Sequence, residues 1–424
     1  VVRLCRDTVK DNGMKSVHVG VFAIAAAVFT PVAVFAEQAD SVVPASEAFD
    51  TGFQEWLTTF RPRAVAAGID DATFDTAMRG VKFDANVVRR DRNQSEFTKT
   101  IWDYLATATS DARIENGMRA LAGQREALEQ IEKTYGVEKE IVVAIWGLES
   151  AYGTFRGDDN VISSLASLAY EGRRQDFFEG ELIEALKILQ AGDTSAAQMT
   201  GSWAGAMGHT QFMPSSFQLH AVDFSGDAKR DIWSDDPRDA LASTAAYLKH
   251  FGWTTGQPWG TEVQLPAGFD YLLADREVTK SSPEWAELGV VGVSGEEVPD
   301  NGPASILLPG GAKGAAFMIF DNFAVLERYN SADAYVIGVG HLSDRLKGGK
   351  PIQHPWPMED RALSFAERIE LQTELTALGF DTVKIDGKIG PLTINAVRKF
   401  QTSKAVAPDG YASVRLLDMV REAR

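Results

Sequence analysis

A glutamate at the end of an apolar helix is the sequence feature with the clearest chemical use. The segment Ile141–Gly153 reads IVVAIWGLESAYG, and helical spacing places Val142, Ile145 and Glu149 on one face. Burial beside apolar groups raises the pKa of a carboxyl, which is what a general acid near neutral pH requires. Spacing alone leaves an alternative open, in which Glu149 lies at the rim of a core helix and pairs with an arginine.

A second candidate segment is Gly201–Phe217, which reads GSWAGAMGHTQFMPSSF. Its many small residues allow the backbone to approach another surface closely. Gln211 is a polar group that could face a ligand such as a sugar, and Pro214 predicts the start of a helix. The alternative for this segment is a tight turn between packed helices.

The elements that must position these residues are mainly helical from about residue 45 to 250. Amphipathic spacing predicts helices at Glu47–Ala67, Ala112–Tyr135, Glu138–Ala151, Phe177–Ala191 and Ala240–Phe251.

Between about residues 260 and 325 the pattern changes to short apolar or alternating runs separated by Gly and Pro. This pattern predicts a small β subdomain. Its predicted strands are Thr261–Leu265, Val290–Val293, Ala304–Leu308 and Ala315–Ile319. A helix is expected at about 331–346, because Tyr335, Val339, Leu342 and Leu346 fall on one face.

Composition sets limits on the class of protein. With 424 residues, the chain is expected to hold two or three domains. Its formal net charge of −17 argues against nucleic acid as a partner, because phosphates demand basic patches. The charge also argues against attachment to anionic lipid by charge alone.

Residues 1–36 are predicted to be a secretory signal peptide, with translation starting at Met14. A short positive region leads into the apolar run Val19–Ala36, which ends in small residues before a polar stretch. The alternative is an uncleaved membrane anchor, since about 18 apolar residues can just span a bilayer. The only cysteine, Cys5, lies in this leader, so no disulfide is expected in the exported part.

The two candidate segments resemble the membrane-bound lytic transglycosylase B family of lysozyme-like enzymes. Further stretches match in order, and the resemblance covers residues 48–346. It implies a mainly α (α+β) fold, with a lysozyme-like catalytic domain at 45–346 that contains a small β subdomain. The further stretches are YGTFRGDDNVISSLASLAYEGRR (152–174), AVDFSGDAKRDIW (221–233), DALASTAAYLKHFGW (239–253) and RYNSADAYVIGVGHLSDRL (328–346).

By position, the family's catalytic acid and base matches Glu149. Tyrosine offers sugars an apolar face and a hydroxyl, while Gln and Ser bond to hydroxyl or acetamido groups. For Tyr247 and Tyr335, a role as ordinary core residues stays open. The family's saccharide-contacting residues match Tyr104, Ser202, Gln211, Tyr247, Tyr329 and Tyr335.

The resemblance implies cleavage of the β-1,4 bond between N-acetylmuramic acid and N-acetylglucosamine in peptidoglycan, with 1,6-anhydromuramic acid ends. Glu149 would protonate the leaving oxygen and then accept the proton of the sugar's own 6-hydroxyl. Internal attack uses proximity, so water need not be activated. The alternatives are a muramidase, which hydrolyses the bond, and a non-catalytic peptidoglycan-binding scaffold.

The C-terminal residues 361–424 resemble the peptidoglycan-binding type 1 module, a three-helix unit. The matching motifs are LSFAERIELQTELTALGF, DGKIGPLTINAVRKFQ and PDG, and a Pro- and Gly-rich linker at 347–360 precedes them. Ser364-Phe365-Ala366-Glu367 predicts a capping box at the first helix, and the Asp-Gly pairs at 386–387 and 409–410 indicate an internal repeat. Its expected role is wall targeting. The expected partner is therefore the peptidoglycan glycan strand and the expected location the periplasm, with membrane contact only through an uncleaved leader.

An aspartate-rich segment has the alternating spacing of a calcium loop, with Asp223, Asp227 and Asp231 among its members. Ala228 stands where such a loop has Gly, and Ser234 stands where it has Glu. A metal-free turn is therefore the favoured interpretation. No cofactor is expected to be required, and a calcium ion around Asp223–Asp227 is the alternative.

Overall fold

The computed structural model describes residues 45–93 and 99–424 of the chain. The predicted signal peptide lies outside these residues. Within the described ranges, no helix combines the length and the hydrophobicity needed to cross a bilayer.

Helices from the first two thirds of the chain form one large hydrophobic core. They are α1 (Ala45–Ala66), α2 (Asp71–Met78), α3 (Ala85–Asn93), α4 (Ile101–Ala108), α5 (Asp111–Gly123), α6 (Arg125–Tyr135), α7 (Lys139–Ser150), α8 (Val161–Glu171), α9 (Gln175–Ala191), α10 (Pro214–His220) and α11 (Arg238–His250). A two-stranded antiparallel ribbon pairs β1 (Asp159–Asn160) with β2 (Thr200–Gly201).

The central helix is α7, which packs against α5, α6 and α11. Residues 141–147 are all buried, because apolar side chains surround the helix on every side instead of forming a single stripe. The helix that presents Glu149 is therefore held from several directions.

The predicted helix at Ala112–Tyr135 is wrong in one respect, because the structure breaks it into α5 and α6. Gln124 leaves the helical region of backbone space, with φ −111° and ψ 18°, directly after Gly123. Glycine is a weak helix former, and the bend lets both halves contact α7.

The predicted β subdomain is present as a four-stranded antiparallel sheet with the strand order β4-β3-β6-β5. Its core contains the fully buried Trp285. The elements are β3 (Gly260–Gln264), α12 (Ser282–Glu287), β4 (Val291–Gly292), β5 (Ser305–Leu307) and β6 (Ala316–Ile319).

After the sheet the chain returns to the large core through α13 (Asp321–Tyr329) and α14 (Asp333–Leu346). The second of these helices packs against α4, α5 and α7. Its first turn therefore lies where α7 ends.

The C-terminal module has its own hydrophobic core. Ser364 and Glu367 form the capping box that the sequence predicts at its first helix. Its helices are α15 (Phe365–Ala377), α16 (Pro391–Ser403) and α17 (Val414–Glu422). A mainly α fold with a small β subdomain and a three-helix module is therefore confirmed.

Candidate active site

Glu149 lies in the last turn of α7 and meets the first turn of α14. The Tyr335 hydroxyl donates a hydrogen bond of 2.6 Å to Glu149 Oε1. The alternative of an ion pair with an arginine is wrong, because this tyrosine is the hydrogen-bond partner of the carboxyl among the described residues.

Burial raises the pKa of Glu149 to about 7, and the hydrogen bond from Tyr335 opposes that rise. Among the described residues, no second carboxylate and no cation contributes to this pKa. A carboxyl with this pKa is substantially protonated at neutral pH and can both give and accept a proton.

The backbone turns sharply directly after the glutamate. Ala151 and Tyr152 have φ values of 49° and 61°, in the left-handed region that L residues seldom adopt. The Ala151 amide donates to the Gly147 carbonyl, which closes the end of α7. Gly147 is required here, because a Cβ atom on it would lie 2.7 Å from the Tyr152 ring.

A buried histidine fastens this turn to the second candidate segment. Trp146 Nε1 donates to His209 Nδ1 at 3.1 Å, and His209 Nε2 lies 2.7 Å from the Ser234 carbonyl. These partners assign the proton to Nε2. Burial lowers the pKa of His209, which keeps the ring neutral and able to accept from Trp146.

Three predicted sugar-contacting tyrosines lie around the carboxyl. Burial, followed by the charge of Glu149, raises the pKa of Tyr104, Tyr329 and Tyr335. The rings of Tyr329 and Tyr335 stack with centroids 6.5 Å apart. The structure thus brings residues from α4, α13 and α14 to one carboxyl group.

Two other predicted residues, Gln211 and Tyr247, line a small cleft that Tyr329 also borders. The Tyr247 hydroxyl donates to the Arg328 carbonyl, and the Tyr329 hydroxyl donates to the Thr210 carbonyl. Because both hydroxyl protons are donated within the protein, a ligand can contact only the ring faces and the lone pairs of the hydroxyl oxygens.

Gln211 has an unusual backbone for a non-glycine residue, with φ 55°. Its amide nitrogen donates to the carbonyls of Gly208 and Arg156, so its carbonyl oxygen is the group left for a ligand. Ser202 is buried, and its hydroxyl accepts from the Ala206 amide. Ser202 is not among the residues that line the cleft.

Two arginines that the sequence did not single out support the site from behind. Arg156 donates to the Ser234 carbonyl at 2.6 Å and pairs with Asp235 at 2.9 Å, which braces the loop that holds His209. Arg113 donates to the Gly147 carbonyl. Arg156 lies inside the motif YGTFRGDDN, and its place in that motif is the sequence signal that could have identified it.

The aspartate-rich segment brings three carboxylates together. Ligand oxygens of Asp223, Asp227 and Asp239 all lie within 4.8 Å of one another. Ala228, which occupies the position of the loop glycine, adopts the left-handed φ of 69° that the glycine would supply. Asp239 accepts backbone N–H bonds from Phe224 and Ser225, which holds the turn closed.

A half-buried carboxyl whose pKa is raised, with tyrosines around it where three helices meet, is typical of lysozyme-like glycan-cleaving enzymes. The Transglycosylase SLT domain family matches residues 52–344, and a peptidoglycan binding domain matches residues 366–419. The chain therefore belongs to the SLT transglycosylase family, and the prediction of a peptidoglycan lytic transglycosylase is confirmed.

Individual relatives agree with this assignment. The chain is 32% identical over 237 residues to membrane-bound lytic murein transglycosylase B of Escherichia coli, a match that covers 54% of this chain and 62% of that protein. The match thus spans less than two thirds of that relative.

Solved structures match over more of the chain. SltB3 from Pseudomonas aeruginosa, in complex with NAG-anhNAM-pentapeptide, is 50% identical with a TM-score of 0.85, covering 87% of this chain and 99% of that chain. Slt35 from Escherichia coli, in complex with calcium, is 27% identical with a TM-score of 0.59, covering 72% of this chain and 98% of that chain.

Proposed function

We propose that Glu149 acts alone as the acid and base of a lytic reaction on peptidoglycan glycan strands. The observation that carries this proposal is the half-buried carboxyl of Glu149, whose pKa is raised to about 7 and which is oriented by Tyr335 at 2.6 Å. Such a group is matched to proton transfer near neutral pH.

In the first step, the Glu149 proton passes to the oxygen that links C1 of N-acetylmuramic acid to the next sugar, and the C1–O bond breaks. In the second step, the 6-hydroxyl of the same muramic acid attacks C1, and its proton passes to the Glu149 carboxylate. The carboxyl is thereby restored, and the product carries a 1,6-anhydro ring. Because the nucleophile is tethered to the reacting sugar, its effective concentration is high.

The product form bound to a relative supports this route over hydrolysis. The SltB3 complex with NAG-anhNAM-pentapeptide contains an anhydro sugar of the kind expected here as product.

Replacement of the carboxyl tests its role. Glu149→Gln preserves shape but removes the proton exchange, so turnover of purified peptidoglycan should fall at least about 100-fold. Glu140→Gln is the matched control, because Glu140 lies in the first turn of the same helix. Near-normal turnover by a folded Glu149→Gln protein would show that the assignment is wrong.

Digestion in oxygen-18 water tests the nucleophile. Internal attack should yield unlabelled 1,6-anhydro muramic ends, detected by mass spectrometry. A muramidase would instead produce reducing ends that are heavier by one water and carry the label.

For the sugar contacts, we infer that Gln211, Tyr247 and Tyr329 line the glycan path on one side of Glu149. Their common cleft supports this inference. Tyr104 and Tyr335 lie next to the carboxyl, where they would contact the reacting muramic acid. Ser202 is inferred to act indirectly, by shaping the Gly201–Ala206 turn.

The domain boundaries at 45–346, 347–360 and 361–424, and a periplasmic location, are likewise proposed. The family's substrate is a component of the cell envelope, which supports this location. Catalysis is proposed to need no cofactor. A calcium ion held by Asp223, Asp227 and Asp239 is the alternative to a metal-free turn, and their mutual approach within 4.8 Å favours it.

A further inference from the structure

The cleft that Gln211, Tyr247 and Tyr329 border contains one charged side chain among the described residues that line it. Its wall is otherwise aromatic, apolar or neutral, and the charged residue is Arg328 at the end of α13. Arg328 is exposed, and the next residue, Tyr329, stacks on the tyrosine that binds the catalytic carboxyl. A cation is thus present at the cleft of a protein whose formal net charge is −17.

The guanidinium of Arg328 has no carboxylate partner among the described residues. The neighbouring carboxylate, Glu327, is bonded to Arg276 instead. Arg276 also pairs with Asp333. Glu327 lies near enough for the charge of Arg328 to lower its pKa, but its hydrogen bond goes to Arg276, so the guanidinium of Arg328 keeps its donors for another anion.

The arginine is also held in place. Its carbonyl accepts a 2.5 Å hydrogen bond from Tyr247, and its guanidinium lies 6.0 Å from the Phe251 ring centre. Tyr247 and Phe251 contact each other with centroids 4.7 Å apart. The backbone position from which this side chain extends is therefore fixed at the cleft.

We propose that Arg328 binds a carboxylate carried by the 3-O-lactyl substituent of muramic acid and so selects the glycan register in the cleft. This proposal rests on the proposed function. Muramic acid always bears an anion on this substituent, either the lactyl carboxylate itself or the carboxylates of an attached peptide. N-acetylglucosamine bears none, so a cation at this place distinguishes the two alternating sugars.

Three soluble substrates test the proposal. These are peptide-bearing strands, strands freed of peptide by an amidase, and the latter with their lactyl carboxylates converted to neutral methylamides. Arg328→Gln should raise KM about five-fold, the scale of one solvent-accessible ion pair, on a strand whose carboxylate it binds. Its kcat should change less than about two-fold, and its KM on neutral strands should equal that of the parent protein.

Loss on peptide-free strands alone identifies the lactyl carboxylate, and loss on peptide-bearing strands alone identifies the peptide. Arg328→Lys should recover part of the loss. Arg79→Gln is the matched control, because Arg79 is an exposed arginine at the end of α2. Equal KM values for Arg328→Gln and the parent protein on both charged substrates would overturn the proposal.

A binding measurement separates this proposal from the catalytic one. Titration of the charged strands into Glu149→Gln and into the double variant should show an affinity about five-fold weaker for the double variant. Equal affinities contradict the role of Arg328 even if Glu149 is essential. Conversely, an active Glu149→Gln protein contradicts the proposed function whatever the role of Arg328.

Discussion

At the scale of single residues, Glu149 is subject to two opposing influences. Burial favours the protonated acid and raises its pKa, while the Tyr335 hydroxyl stabilises the carboxylate and lowers it. The resulting pKa of about 7 allows the carboxyl to act in both proton transfers.

Removing the Tyr335 hydroxyl should change the pKa of Glu149. In Tyr335→Phe, the pKa of Glu149 should rise further, because only the charged form loses a hydrogen bond. The alkaline limb of the kcat/KM profile reports loss of the acid form, so it should move to higher pH. Tyr271→Phe in the β subdomain is the control, and an unchanged alkaline limb would contradict the role of Tyr335.

The raised pKa also has a consequence for stability. The folded protein holds the Glu149 proton to about pH 7, whereas an unfolded carboxyl releases it near 4.5, so stability falls as pH rises through that interval. Glu149→Gln removes this cost and should stabilise the protein by about 3 kcal/mol at pH 8 relative to its effect at pH 4. Thermal unfolding of the variant and parent at both pH values measures this difference, and an equal shift at both would contradict it.

At the scale of elements, the end of α7 is held through its backbone. Ser150 Oγ donates to the His209 carbonyl and accepts from the Gly153 amide. Together with the Trp146–His209 bond, these contacts join α7 to the Gly201–Phe217 segment. The two segments singled out in the sequence therefore form one structural unit, in which the histidine maintains the geometry of the turn.

The aspartate turn makes a prediction of its own. Calcium should raise the melting temperature by a few degrees, because a divalent cation relieves repulsion among three close carboxylates. Asp227→Asn should reduce that gain, while Asp236→Asn serves as control because Asp236 pairs with Arg238. Activity on soluble glycans should persist in a chelator. An unchanged melting temperature of the parent protein would favour the metal-free turn.

The C-terminal module contains a repeated contact that the two Asp-Gly pairs suggest. Gln372 accepts from the Gly387 amide, and Gln401 accepts from the Gly410 amide. Both glycines have a positive φ, of 69° and 75°. A glutamine from one helix thus closes the turn that leads to the next, in both halves of the module.

At the scale of the whole molecule, the segment between the domains is docked on the catalytic domain. The Gln353 and His354 amides donate to Glu262 at 2.9 and 2.7 Å. Trp356 packs against Trp102 of α4, with ring centroids 6.2 Å apart. The segment therefore supports the helix that carries Tyr104.

The module itself also contacts the β subdomain. Arg398 is buried and pairs with Asp275, and Asp409 accepts from the Ala312 amide at 2.9 Å. These contacts give the module a defined position beside the catalytic domain. They also explain why the charged side chain of Arg398 can be buried at this contact.

Two truncations separate the docked segment from the module. A protein ending at Asp360 keeps Trp356, and a protein ending at Gly349 does not. Both should cut soluble glycans and bind sacculi less well, but the shorter protein should melt several degrees lower because the Trp102 face is exposed. Equal melting temperatures would contradict the supporting role of the segment, and loss of turnover in both would contradict modularity.

Local patterns were sufficient to predict most helices, all four strands of the larger sheet within about a residue, and the Ser364 capping box. Apolar periodicity reports which face of an element is buried, and caps depend on neighbours three residues away. The same reasoning identified Glu149 as a candidate, since its position at the end of an apolar stripe is local. The break at Gln124 was missed, because periodicity continues across it.

Contacts between distant segments could be established only from the tertiary structure. Tyr335 and Glu149 are 186 positions apart, and nothing in either motif specifies that their side chains meet. The Trp146–His209 bond, the approach of Asp239 to Asp223 and the place of Arg328 in the cleft are of the same kind. Each depends on how helices pack, and packing is set by the shapes of many side chains together, whereas spacing along the chain specifies only one face at a time.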